Sequence, residues 1–317
     1  MNLFQLLFIC AIGVALLYLG ATLLVKGGVR IATALGVPPI IVGLTLVSFA
    51  TSAPELVVSI DAAFKGIGDI SLGNVMGSNI CNIGLILGLT ALVSPVKCEI
   101  KLLRFDAPFL LLSTILLAVF LMVNRGVNRP EAAILLVCFI IYTLVNLQDA
   151  LKQKGSSKPQ PQQKSDKKPL PMGLAILFVI GGVALLIGGA RLFVNGSVEI
   201  ARLFHVSDAV IGLTIVAIGT SLPELATSIV AAFKGENDIA VGNVIGSNIF
   251  NILSILGLSP LVHPIKAEGI QSMDLAIMLL LTALMLHTMT SRKTVSRCEG
   301  ALLLFIYTSY MVWLCCG

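Results

Sequence analysis

Apolar residues in this chain fall in long unbroken runs. They do not alternate as in a half-buried strand, nor do they form the narrow stripe of a soluble amphipathic helix. Ten such runs lie near 3–26, 37–64, 70–93, 105–124, 130–148, 172–194, 207–233, 239–262, 273–290 and 299–316. The hydrocarbon core of a bilayer is about 30 Å thick and takes roughly 20 helical residues to cross. Only structures that satisfy their own backbone hydrogen bonds can cross it. The pattern therefore predicts an all-α polytopic membrane protein with ten transmembrane helices. The first run has no Lys or Arg before Lys26 and is too long for a signal-peptide core, so it reads as a retained span. Between the fifth and sixth runs the apolar pattern stops. Residues 149–171 are rich in Lys, Gln, Ser and Pro and read as a solvated linker. It separates a first half, 1–148, from a second, 172–317, each with five runs.

Composition narrows the function. Apolar residues make up 57% of the 317-residue chain and charged residues only 12%, with a mean hydropathy of +1.00. Soluble domains carry about 25% charged residues, so a soluble enzyme, a disordered chain and a nucleic-acid-binding domain are all excluded. The net charge of +5 matters less than its distribution. With both termini outside, the outer loops hold Lys65, Arg125, Arg129, Arg191, Arg202 and Lys266, and the other 15 of the 21 basic residues face the cytoplasm with the linker. The positive-inside rule favours that orientation. The seven cysteines are scattered and form neither a disulfide framework nor a metal-ligand pattern.

An internal repeat is the strongest feature. Residues 43–88, GLTLVSFATSAPELVVSIDAAFKGIGDISLGNVMGSNICNIGLILG, align without a gap on residues 212–257, GLTIVAIGTSLPELATSIVAAFKGENDIAVGNVIGSNIFNILSILG, with 30 identities in 46 positions. The identities include Thr, Ser, Pro, Glu, Lys, Asp and Asn, which shared apolar composition does not supply. Five spans separate equivalent positions, and an odd number inverts the second copy in the membrane. The expected architecture is two inverted five-helix repeats, with a site near the midplane where they meet.

Each copy carries two polar clusters inside apolar runs. The first is Thr51-Ser52-Ala53-Pro54-Glu55 and Thr220-Ser221-Leu222-Pro223-Glu224. A charge within a span costs roughly 2.5–3.5 kcal/mol on insertion scales and marks a functional site by default. The bland alternative, a Glu neutralised by a buried Lys or Arg, lacks a basic partner near any midplane, so the compensating charge is a bound cation or a proton. Pro54 and Pro223 should open the helix just before each Glu and free backbone oxygens. The hydroxyls of Thr51 and Ser52 lie four and three residues from Glu55, on one helical face, as do those of Thr220 and Ser221 with Glu224. The second cluster is GNVMGSNICN from Gly73 and GNVIGSNIFN from Gly242. Here Ser78 shares a face with Asn82, and Ser247 with Asn251. The glycines read as helix-packing residues. Asn74, Asn79, Asn243 and Asn248 are split between interhelical hydrogen bonding and a site role, and Asp69 and Asp238 read as helix caps. The convergence of carboxylate, hydroxyl, amide and carbonyl oxygens suits a hard cation, since Ca²⁺ takes about six to eight oxygens. Two carboxylates balance one Ca²⁺ or two monovalent ions, and competition for one site is the basis of exchange.

These clusters resemble the two alpha repeats of the cation/calcium exchanger superfamily, and the sodium/calcium exchanger branch in particular. The resemblance implies four central spans holding the ions, with the first and sixth spans sliding beside them. It implies Glu55 and Glu224 as carboxylates shared by Ca²⁺ and Na⁺, with Thr51 and Thr220 contributing to the Ca²⁺ site. It also implies Ser52, Ser78, Ser221 and Ser247 lining flanking Na⁺ sites, backbone oxygens of Ser48 and Ala217, and Asn82 and Asn251 completing the middle. Asn251 stands where potassium-dependent members have Asp, which argues against potassium dependence. No long regulatory domain separates the halves.

The function expected is therefore Na⁺/Ca²⁺ antiport by alternating access in the bilayer, with Na⁺ and Ca²⁺ as transported ions, no cofactor and no obligate protein partner. The absence of a regulatory domain points to a prokaryotic inner membrane. H⁺/Ca²⁺ exchange by the same carboxylates is the alternative, with K⁺-dependent exchange in the same superfamily behind it. A cation channel would need no doubled site, and an enzyme would need a nucleophile–base or metal-ligand pair beside the glutamates.

Overall fold

The computed structural model describes residues 2–100, 102–153, 170–205, 215, 217–266 and 269–316. Most of the expected linker and the start of the expected span 207–233 lie outside the described residues. Helix α1 (Leu3–Leu35) begins with a capping box in which Asn2 and Gln5 each bond the other's backbone N–H, and ends at Gly36, whose φ of 67° stops the helix. After it come α2 (Pro39–Thr51) and α3 (Ala53–Phe64), α4 (Gly68–Val93), a two-residue strand β1 (Val96–Lys97), α5 (Leu102–Asn124), β2 (Gly126–Val127) and α6 (Arg129–Gln153). The second half holds α7 (Met172–Leu203), the single turn α8 (Ala217–Gly219), α9 (Leu222–Phe233), α10 (Asn237–Val262), β3 (Ile265–Lys266), α11 (Ser272–Arg292), β4 (Thr294–Val295) and α12 (Arg297–Cys316).

Among the described residues, seven helices are long and apolar enough to cross a membrane: α1, α4, α5, α6, α7, α10 and α11. The bent pair α2–α3 makes an eighth if it is one span. The expected run 37–64 is thus not one rod: it breaks at Ser52 with a bend of 47°. Three expected boundaries move outward: α6 continues to Gln153, five residues into the expected linker 149–171. Helices α1 and α7 run to Leu35 and Leu203, nine residues past the ends of their apolar runs, because Lys26, Arg30, Asn195 and Glu199 are compatible with helix even though they end the hydropathy signal. At about 1.5 Å per residue such helices measure roughly 50 Å, so they tilt or project beyond the hydrocarbon.

The two halves are stitched together at several levels. The short strands pair across them, β1 with β4 and β2 with β3, antiparallel. Sequence periodicity does not reveal strands of two residues. At the second crossing a Cβ on Gly126 would fall 2.2 Å from the Ile265 carbonyl oxygen, so the approach requires glycine. Helices α1 and α7 lie side by side along a ladder of small residues. Gly13 faces Gly189, Gly20 faces Gly182 and Gly27 faces Ala175, so residue numbers rise on one helix as they fall on the other and the pair is antiparallel. A Cβ at Gly20 would stand 2.7 Å from the Gly182 carbonyl oxygen.

Helices α4 and α10 run through the centre, and the apolar window of α10 is wholly buried. They anchor the larger core, which gathers Leu72, Met76, Ile80, Leu110, Leu135, Ile252, Met285 and Leu303 from α4, α5, α6, α10, α11 and α12. A smaller core joins α1 and α7 to α2, α9 and α10 through Leu24, Val25, Val47, Leu186, Val230 and Ile239. Tyrosine–aspartate bonds brace the outer helices, buried from Tyr142 to Asp106 and half-buried from Tyr310 to Asp274, each 2.8 Å.

Candidate functional site

The polar centre is assembled where the broken helices meet α4 and α10. Ser52 sits between α2 and α3 with φ −83° and ψ 6°, and Pro54 occupies the first turn of α3, where its missing N–H has no helical partner to lose. Ser221 precedes α9 with φ −87° and ψ 6°, and Pro223 stands in the matching place. The second break is wider, because α8 ends at Gly219 and both Thr220 and Ser221 lie outside regular helix. Each proline thus starts a new helix, and Glu55 and Glu224 fall in the positively polarised first turns of α3 and α9, where a carboxylate is favoured.

The spacing Ser-x-x-Glu at both breaks is that of a capping box. The serines do not cap their own helices. Ser52 Oγ donates to Glu224 Oε1 at 2.8 Å, and Ser221 Oγ donates to Glu55 Oε1 at 3.3 Å. Each half therefore holds the carboxylate of the other. Both glutamates are fully buried, and Oε2 of each has no hydrogen-bond partner. The ion pairs Lys65–Asp61 and Arg202–Glu199 are exposed and remote from them.

The asparagines form a second reciprocal set. Asn74 Nδ2 donates to the Glu55 carbonyl (3.2 Å) and to Ser59 Oγ (3.0 Å), while Asn243 Nδ2 donates to the Glu224 carbonyl (3.3 Å) and to Ser228 Oγ (3.0 Å). Asn74 and Asn243 thus fix the backbone beneath each Glu. Ser59 and Ser228 were not among the expected site residues. Their signal was present, since both are shared by the repeats and stand four residues after a Glu. Thr51 Oγ1 bonds Asn243 Oδ1 at 3.0 Å and the Ser48 carbonyl at 3.3 Å, whereas Thr220 Oγ1 is buried without a partner. Across the middle, Asn82 Nδ2 donates to Asn248 Oδ1 (3.4 Å) and Asn251 Nδ2 to Asn79 Oδ1 (3.2 Å). Both α4 and α10 widen into π-helical turns here, over Asn82–Leu87 and Phe250–Ile255. Such turns recur at functional sites.

Most of the expected site residues are buried side chains at this centre: Ser48, Thr51, Ser52, Glu55, Ser78, Asn82, Ser221, Glu224, Ser247 and Asn251. Thr220 is half-buried, and Ala217 opens α8. Seven side-chain oxygens among them are buried without a partner: Glu55 Oε2, Glu224 Oε2, Ser78 Oγ, Ser247 Oγ, Asn82 Oδ1, Asn251 Oδ1 and Thr220 Oγ1. Buried polar atoms are nearly always bonded, so orphaned oxygens gathered around two carboxylates call for a ligand; the amide nitrogens of Asn79 and Asn248 beside them are unpartnered as well. All seven oxygens can accept, and with two carboxylates they favour a cation. No group of three or more His, Cys, Asp or Glu side chains gathers among the described residues, so any such ligation depends on neutral oxygens beside the two glutamates.

Asp69 and Asp238 differ from their expected roles. Neither Ile67 nor Glu236, the residues preceding their helices, makes a side-chain cap. Asp69 Oδ1 instead accepts the Gly269 N–H at 3.0 Å, reaching a loop of the other half, and Asp238 sits beside Glu99 of the first half. Both acids lie one residue inside their helices, too far along to cap them. Just beyond α9, Lys234 is held below the ordinary lysine range by partial burial and the nearby Lys26, and its Nζ reaches the Thr22 carbonyl of α1 at 3.4 Å.

The sodium/calcium exchanger protein family model matches residues 5–148 and 174–316. A putative antiporter, CaxA, from Alkalimonas amylolytica is 38% identical over 94% of this chain and 95% of its own length. The sodium/calcium exchanger MaX1 of Methanosarcina acetivorans is 36% identical over 96% of this chain and 97% of its own. Among solved structures, the sodium-calcium exchanger NCX_Mj superposes with a TM-score of 0.84 at 32% identity, covering 99% of this chain and 100% of that one. The chain is a multi-pass integral membrane protein and a transporter rather than an enzyme: it belongs to the sodium/calcium exchanger family.

Proposed function

We propose that the protein is a secondary active antiporter that exchanges Na⁺ for Ca²⁺ at one shared site between its two halves. The observation that carries this reading is the crossed pair of serine–glutamate bonds. It brings together two fully buried carboxylates, each with one oxygen unpartnered. Two negative charges in that setting are stable only when neutralised. One Ca²⁺ or two Na⁺ neutralise them equally, so the ions compete, and a loaded site of either kind can change its exposure. Glu55 and Glu224 would be the shared ligands. Thr51 and Thr220 would contribute to the calcium site, Ser52, Ser78, Ser221 and Ser247 would line the flanking sodium positions, backbone oxygens of Ser48 and Ala217 would also contribute, and Asn82 and Asn251 would complete the middle.

The two halves would be inverted five-helix repeats. The antiparallel packing of α1 on α7, which hold equivalent places in the two halves, supports that arrangement. In this reading ten helices cross the bilayer, α1 and α7 shift as a pair against the polar centre, and the site is exposed to each side in turn. The basic residues support both termini outside and the 149–171 linker in the cytoplasm. A relative from Escherichia coli described as an inner membrane protein, 38% identical over 86% of this chain, supports a prokaryotic inner membrane. The exchange calls for no cofactor and no protein partner.

The test is ⁴⁵Ca²⁺ uptake into vesicles loaded with Na⁺ or with choline. Uptake confined to the Na⁺-loaded vesicles is expected. Equal uptake in both would remove Na⁺ from the mechanism, and uptake driven by a pH jump without Na⁺ would make the proton the coupling ion.

A further inference from the structure

Helix α7 does not close against α3. Between them lies a cleft of about 290 Å³ walled by Val57 and Val58 on α3 and by Ile187, Arg191 and Val194 on α7, and it reaches Thr220 at the second helix break. The walls are almost entirely apolar. Val57 is 64% exposed, so the cleft opens on the outer surface of the helix bundle, which in a membrane protein faces lipid. The matching place in the other half is shut. There α1 packs along α9 in the smaller core, the residue equivalent to Arg191 is Thr22, and Lys234 reaches the Thr22 carbonyl.

Arg191 is the anomaly in this cleft. It is exposed and has no acidic partner among the described residues. It lies one turn before the apolar run of α7 gives way to Asn195, Ser197 and Glu199, the level from which an Arg side chain extends to the headgroup layer. Arg within a span normally pairs with an anion. An apolar cleft open to the bilayer fills with acyl chain, and the anion that arrives with an acyl chain is a lipid phosphate. Guanidinium and phosphate match as a bidentate, charge-assisted pair, and the exposed Asn195 amide stands one turn further on.

We propose that the α3–α7 cleft is a binding site for one anionic phospholipid, with the phosphate on Arg191 and Asn195 and an acyl chain along Val57, Val58, Ile187 and Val194. Among the described residues the matching place is covered by the packing of α1 on α9, and the occupant of the α3–α7 cleft wedges α7 away from α3. The inference does not depend on which ions are exchanged.

The experiment is native mass spectrometry of the purified full chain, incubated with phosphatidylglycerol or with phosphatidylcholine. The wild-type protein is expected to retain one phosphatidylglycerol under activation that strips phosphatidylcholine. Arg191→Gln should lower that retention about tenfold, the loss of one hydrogen bond to a charged group, and leave phosphatidylcholine unchanged. Val57→Phe, which narrows the cleft with Arg191 intact, should lower retention of both lipids. Size-exclusion profile and helical circular dichroism check that each variant is folded. Equal retention of the two lipids by the wild type, or undiminished phosphatidylglycerol on folded Arg191→Gln, would overturn the proposal.

Discussion

The polar centre and the α1–α7 seam both join the two halves of the molecule, and they do so by opposite means. At the centre, hydrogen bonds with fixed directions run from one half to the other: Ser52 to Glu224, Ser221 to Glu55, Asn82 to Asn248 and Asn251 to Asn79. Along the seam there is a ladder of glycines and alanine with backbone against backbone; its polar contacts include the weak bond of Cys10 Sγ to the Phe193 carbonyl at 3.8 Å and, beyond Gly27 and Ala175, that of Arg30 Nε to the Leu170 carbonyl. Directional bonds resist displacement, and a break in one leaves a buried group unsatisfied. Packing of small residues has no such directional demand. The molecule thus pairs a centre built to hold one geometry with a long pair of helices joined mainly by small-residue packing, whose Arg30–Leu170 tie lies at one end of the seam.

The largest effect should come from breaking the centre. Glu55→Gln or Glu224→Gln is expected to abolish ⁴⁵Ca²⁺ transport in vesicles while the protein still inserts, because one remaining carboxylate cannot balance a divalent ion. Ser52→Ala and Ser221→Ala come next. Each removes a hydrogen bond to a charged group, worth about 1.5–3 kcal/mol, and each should weaken Ca²⁺ binding on the order of tenfold. Similar losses in the two variants would confirm that the halves contribute alike, and a loss in only one would break the symmetry of the centre.

The seam should respond differently. Gly20→Leu forces a side chain into the Gly182 backbone. Overpacking of this kind costs about 1–3 kcal/mol, so thermal stability and transport rate should fall while Ca²⁺ affinity changes less than about twofold. A tenfold loss of affinity in that variant would mean that seam and centre are not separate devices. The smallest effect is expected at Asp69→Ala. It removes the bond to the Gly269 N–H, at a cost of about 1 kcal/mol in stability, and should leave the preference between Na⁺ and Ca²⁺ unaltered in competition assays.

The centre was legible in the sequence for physical reasons. A carboxylate beside a proline in an apolar run has no cheap structural explanation, and its recurrence 169 residues later removed coincidence. Spacing alone put Thr51, Ser52 and Glu55 on one face. It could not show that Ser52 would serve Glu224 rather than its own helix, because a Ser-x-x-Glu box looks the same whether its bonds close locally or cross to another helix. The seam was legible only in part. Gly13, Gly20 and Gly27 recur every seven residues, as do Gly182, Gly189 and Gly196, but a small-residue stripe states that something packs closely and not what. The two-residue strands and the cleft beside Arg191 leave no periodic signal, since they arise from how finished helices are placed.

The most direct test of a shared site is equilibrium binding of ⁴⁵Ca²⁺ to the purified protein, titrated with Na⁺. The structure predicts saturable binding of one Ca²⁺ per chain, displaced competitively and completely by Na⁺, and lost in Glu55→Gln and Glu224→Gln alike. Calcium binding that survives either substitution, or that Na⁺ cannot displace, would contradict it.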